Sequence, residues 1–179
     1  MKKRIGFVSN SSSSSFVVAF PKKPKNIKEL QEMMFGKQEW HYSDGYGKNT
    51  DIPTTDIAKA VFSEINNKKT ASKKDVFESI RNGWFGYYIN PELFPGHYLS
   101  QNSLKLTWDK DADKIKENWE KDDIKNDERA KNIANAFLAA NKKKFIAVMS
   151  FSDNDGDFSS MLEHSDIFHR LEHIITSYH

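Results

Sequence analysis

The spacing of apolar and polar positions changes several times along the chain, and each change marks an expected element. Phe16-Val17-Val18-Ala19-Phe20 combines β-branched and aromatic residues and is closed by Pro21 and Pro24. Such a run fits a pleated sheet, and proline cannot continue the ladder, so a strand is predicted over 16–20. Arg4 to Val8 is a shorter strand candidate, and Phe145 to Phe151 reads as a buried strand. Helical spacing follows Asn26, with Glu29 at capping-box distance and Gly36 as the stop. Further helices are expected over Pro53–Asn66, from a Ser72 cap to near Gly83, over Asp111–Glu120 and Asp127–Asn141, and finally over Ser165–Ser177. Residues 37–52 read as a loop, 84–100 as an irregular aromatic excursion, and Leu104–Trp108 as a short strand.

The order strand, strand, helices, strand, helix predicts a mixed α/β (α+β) domain with a small central sheet and several packed helices. A length of 179 residues fits a single domain, 1–179. The helical and aromatic middle, 53–128, is the part expected to form a subdomain or lid. No internal repeat is visible.

Composition sharpens this picture. Hydrophobic residues make up 37% of the chain and aromatics 13%, enough for a true core. Charged residues make up 29%, but the net charge is only +2, which gives no general case for nucleic acid. The lysines are clustered at Lys22, Lys23 and Lys25, at Lys68-Lys69 and Lys73-Lys74, and at Lys142-Lys143-Lys144. With no cysteine, disulfides, thiolate metal sites and a cysteine nucleophile are excluded. The apolar run after Met1-Lys2-Lys3-Arg4 stops at Val8, so no signal-peptide core is expected. No apolar stretch is long enough to span a membrane. The expectation is a soluble cytoplasmic protein with no membrane partner.

The candidate chemistry lies at the two ends of the chain. Asp153, Asp155 and Asp157 alternate around Gly156, a spacing that can converge oxygens on a hard divalent cation such as magnesium, manganese or calcium. Glu163 and His164 follow as candidate acid and base, with His169 and His173 expected on one helical face. The plainer reading of Asp-Asn-Asp-Gly-Asp is a turn. It is not an EF-hand loop, because its glycine and glutamate fall at other positions. Near the other end, Ser11, Ser12, Ser13, Ser14 and Ser15 could line a loop that holds phosphate through hydroxyls and backbone amides. No P-loop lysine and no Gly-x-Ser-x-Gly elbow is present. If strands 16–20 and 145–151 pair antiparallel, the serine tract and the acidic run share one end of the sheet.

The Asp-x-Asp-Gly pattern after a strand resembles the first motif of haloacid-dehalogenase-type phosphatases over five residues. That likeness implies Asp153 as phosphoryl acceptor and Asp155 as acid/base. Gly6-Phe7-Val8-Ser9-Asn10 with Ser11 to Ser15 and Phe16, together with Ser152 to Asp157, Glu163-His164, Phe168 and Ser177-Tyr178-His179, is similar to the ends of a group of small uncharacterised proteins of bacteriophages and some bacteria. That likeness implies a phage origin and a shared site, but no reaction. Two functional expectations result. One is a metal-dependent binder or hydrolase of a small phosphorylated or nucleotide-like ligand. The other is a phage accessory protein that docks a host protein or virion component through its aromatic segments.

Overall fold

The computed structural model describes residues 13–43, 50–82, 88–89, 127–128, 130–152 and 167–178. In chain order the elements are β1 (Ser13–Phe20), α1 (Ile27–Phe35), β2 (Trp40–Ser43), β3 (Thr50–Pro53), α2 (Thr54–Ile65), α3 (Lys73–Asn82) and β4 (Tyr88–Ile89). A fourth helix, α4, covers 130–140, and β5 (Phe145–Ser152) and β6 (Glu172–Tyr178) follow. The fold is mixed α+β, as the pattern predicts. Its sheet runs β4-β6-β1-β5 and every pairing in it is antiparallel. β2 and β3 form a separate hairpin.

β1 is buried on both faces because helices cover both sides of the sheet. Phe16, Val18 and Phe20 meet Phe145, Ala147, Met149 and Phe151 of β5, with Leu30 and Met34 of α1 and Ile57 and Val61 of α2 above them. Val17 and Ala19 face the other way, toward Val76 and Ile80 of α3 and Ile133 and Phe137 of α4. This two-sided burial explains why the strand reads as an unbroken apolar run rather than an alternating one. Phe168 closes the first core edge-on, with ring centroids 5.3 Å from Phe16 and 6.4 Å from Phe20.

The predicted caps form. The Asn26 side chain accepts the Glu29 N–H at 2.9 Å, and the Glu29 carboxylate accepts the Lys25 N–H at 2.6 Å. A side-chain bond from Lys22, then the Lys25 N–H, holds the Glu29 carboxyl below its ordinary pKa. At α3 the bonds are reciprocal: Ser72 N–H donates to Asp75 at 2.8 Å, and Asp75 N–H donates to the Ser72 hydroxyl at 3.2 Å. The Ser72 amide and hydroxyl thereby lower the Asp75 pKa.

Three expectations are corrected. Residues 37–52 are not simply a loop but contain the β2–β3 hairpin. Only His41 and Ile52 of its central pairs are buried, so it carries too little apolar alternation to register as strand. Thr54 anchors it, donating its hydroxyl to the Gln38 carbonyl at 2.7 Å and accepting from Gln31 Nε2 at 2.8 Å. The final segment is not a helix over 165–177: residues 167–170 form a turn, and Glu172–Tyr178 is strand β6, paired along β1. The β-branched run Ile174-Ile175-Thr176 suits a central pairing, and the i,i+4 spacing of the histidines is incidental. Finally, Ser13 to Ser15 belong to β1 rather than to a loop. Arg4–Val8, Leu104–Trp108 and Asp111–Glu120 lie outside the described residues.

Candidate functional site at the serine end of the sheet

The β1–β5 pairing is antiparallel, with Ser13 opposite Ser152 and Phe20 opposite Phe145. The chain therefore enters β1 and leaves β5 at the same end of the sheet. Asp153 follows Ser152 by one peptide bond. β6 finishes there too, with Tyr178 opposite Ser13.

Register places a patch of hydroxyl residues at this end. Reading across three strands, Val148, Val17 and Ile174 form one apolar row. Two residues earlier in β1, the backbone register aligns Ser15 with Ser150 and Thr176; two earlier again, it aligns Ser13 with Ser152 and Tyr178. Alternate positions on a strand share a face. On the α3/α4 side of the sheet, the buried Val17 is thus followed within one step of the pleat by the Ser15–Ser150 pair. Ser15 is 7% exposed and Ser14, on the opposite face beside Phe151, is 2% exposed, while Ser150 is open to solvent. A hydroxyl both donates and accepts, so such rows can bind an oxyanion or a sugar.

Of the residues singled out in the sequence, Ser13, Ser14 and Ser15 stand at this end. Ser11, Ser12, Asp153, Asp155, Asp157, Glu163 and His164 lie outside the described residues. Among the described residues, no group of three histidine, cysteine, aspartate or glutamate side chains is gathered as for a metal. His169 and His173 do not share a helical face. The His169 ring lies 6.5 Å from that of Phe35, while the His173 ring lies 6.1 Å from that of Phe168, with its Nδ1 2.8 Å from the Leu171 carbonyl.

Sequence reading passed over Ser150, Ser152, Thr176 and Tyr178. The available signal was the alternation Ser150-x-Ser152 at the end of a strong strand. For Thr176 and Tyr178 the helical reading of the tail concealed it. His41 was also passed over; it is 8% exposed and packs against Phe35, with ring centroids 5.6 Å apart. Its neighbours Trp40 and Tyr42 are 55% and 58% exposed on the outer side of the hairpin. At the far end of the sheet an open depression of about 340 Å³ is lined by Lys25, Asn26, Lys28, Glu29 and Glu32.

The chain matches no family model, no curated protein and no solved structure. Among the described residues no helix is long and apolar enough to cross a membrane.

Proposed function

We propose that the serine end of the sheet binds a small phosphorylated or nucleotide-like ligand together with a divalent cation. The observation that carries this reading is the Ser13–Ser152 register, which brings the serine tract and the start of the acidic run to one sheet end. Asp153, Asp155 and Asp157 would hold magnesium, manganese or calcium, since three close carboxylates repel one another until a cation compensates them. The Ser11–Ser15 segment and the hydroxyl rows would hold the ligand. Hydrolysis is the reaction this set supports: a cation held there would lower the pKa of a water, and Glu163 or His164 would take that water's proton and return one to the leaving oxygen.

Calorimetric titration with magnesium, manganese and calcium tests the cation site directly. Binding should raise the melting temperature in proportion to the logarithm of cation concentration, because the folded state alone offers the site. The double substitution Asp153→Asn and Asp155→Asn should abolish the rise while the protein stays folded. Absence of binding by all three cations, with unchanged stability in the double variant, refutes the site. A second reading is then favoured, in which exposed Trp40 and Tyr42 anchor a host protein or virion component, since exposed aromatics are characteristic interface anchors.

A further inference from the structure

The end of the sheet opposite the serines gathers the three lysine clusters that lie far apart in sequence. Lys22, Lys23 and Lys25 follow β1, and Lys142, Lys143 and Lys144 precede β5; these strands join there through the Phe20–Phe145 pair. The segment 66–74 is tied to the same place. Ala71 N–H donates to the Ile146 carbonyl at 2.8 Å, and Ile146 N–H donates to the Thr70 hydroxyl at 3.0 Å. Lys23 Nζ donates to the Lys68 carbonyl at 2.7 Å, and Lys68 Nζ donates to the Val148 carbonyl at 3.1 Å. Together, residues 21–25, 66–74 and 141–144 hold ten lysines and no acidic residue.

Four of those lysines are paired with acids from neighbouring elements: Lys22 with Glu29, Lys68 with Glu64, Lys74 with Glu78, and Lys144 with Glu172. The other six, Lys23, Lys25, Lys69, Lys73, Lys142 and Lys143, are exposed and form no ion pair among the described residues. Among the described residues, this end of the sheet therefore carries six lysines outside ion pairs, while the net charge of the whole protein is only +2. Such a local cluster creates a field that the total charge conceals.

We propose that this lysine pole docks the phosphate backbone of a nucleic-acid duplex without reading its sequence. Flexible ammonium groups act as point charges on phosphate, whereas base recognition uses planar forks or amides. Among the described residues, these six lysines sit beside no exposed aromatic side chain; Lys23 Nζ lies 5.7 Å from the centroid of the buried Phe145 ring. Among the described residues, the large exposed apolar side chains are Trp40 and Tyr42, beyond the C-terminal end of α1, whereas Lys25 precedes its N-terminal end. A single-strand platform would interleave aromatics with the cations, and a membrane-surface site would add apolar side chains to insert. Among the described residues the pole has neither, and the dense, regular charge of a duplex is the surface that matches it.

The test is fluorescence anisotropy with a labelled duplex of mixed sequence. Vesicles of phosphatidylserine and a single-stranded oligonucleotide form parallel arms. With six phosphates engaged, affinity should fall on the order of 10³-fold between about 50 and about 200 mM salt, and equally for a scrambled duplex. The triple substitution Lys69→Gln, Lys142→Gln and Lys143→Gln should reduce that loss to about 40-fold, because three fewer counterions are released. The triple substitution Lys37→Gln, Lys59→Gln and Lys131→Gln, at exposed lysines on other parts of the surface, should leave it unchanged. No saturable duplex binding at about 50 mM salt, equal effects of the two triples, or tighter binding to vesicles or single strands would overturn the proposal. The hydroxyl rows lie at the other end of an eight-residue strand, so this outcome is independent of the cation titration.

Discussion

Replacing Gly36 with alanine should destabilise the protein by about 2 kcal/mol, for a reason specific to its backbone. Gly36 has φ 63° and ψ −121°, and the Gln38 N–H bonds the Phe35 carbonyl at 3.2 Å. These are the angles and the bond of a type II′ turn with glycine at its first central position. The usual left-handed helix stop has positive ψ; here the chain turns at once into β2 instead. An L-residue in this region carries strain of about 1–3 kcal/mol. The new Cβ would also come within 3.1–3.2 Å of the Arg170 guanidinium. That group is the far end of an exposed, flexible side chain and can withdraw, so its contribution should be small.

Urea denaturation followed by circular dichroism measures the cost. With a slope of about 2 kcal/mol/M, the midpoint should fall by about 1 M and the slope should not change. Asparagine tolerates the ordinary left-handed helical region, but at this ψ it should be as costly as alanine. Adding Arg170→Ala to the alanine variant should show coupling below about 0.5 kcal/mol. Asparagine matching glycine would refute the II′ assignment. A coupling near 2 kcal/mol would make the guanidinium contact, rather than the backbone, the cause.

Two further outcomes are expected. Phe168→Ala should cost about 3–5 kcal/mol, because its ring is fully buried against Phe16 and Phe20; a cost under about 1 kcal/mol would show that the turn over 167–170 does not close the core. Glu29 has a pKa below its ordinary value when folded, so its contribution is complete above the unfolded carboxylate range, roughly pH 4, and is lost as pH falls through the folded value. The stability gap between the natural protein and Glu29→Gln should therefore be constant near neutrality and close in acid; a gap that stays the same down to roughly pH 2.5 would contradict the Lys22 and Lys25 bonding.

Local signals in the sequence determined the parts of the fold that local physics controls. The strand over 16–20 and its neighbour over 145–151 were legible because unbroken apolar runs need two-sided burial. Asn26, Ser72 and Gly36 marked helix ends because orphan amides and a positive φ demand particular residues. Elements whose reason lies elsewhere in the chain were not legible. β6 is a strand because β1 offers it an edge, although its histidine spacing suited a helix equally well. The hairpin exists around a single buried pair, His41 and Ile52. The same holds for the surfaces. The serines, the acidic run and the lysine clusters were each visible as separate stretches. Antiparallel pairing of β1 with β5 sorted them, sending Ser13 and Ser152 to one end and Lys23 and Lys144 to the other. Register between segments some 130 residues apart is decided by the fit of whole hydrophobic faces, a collective quantity that no local window of sequence contains.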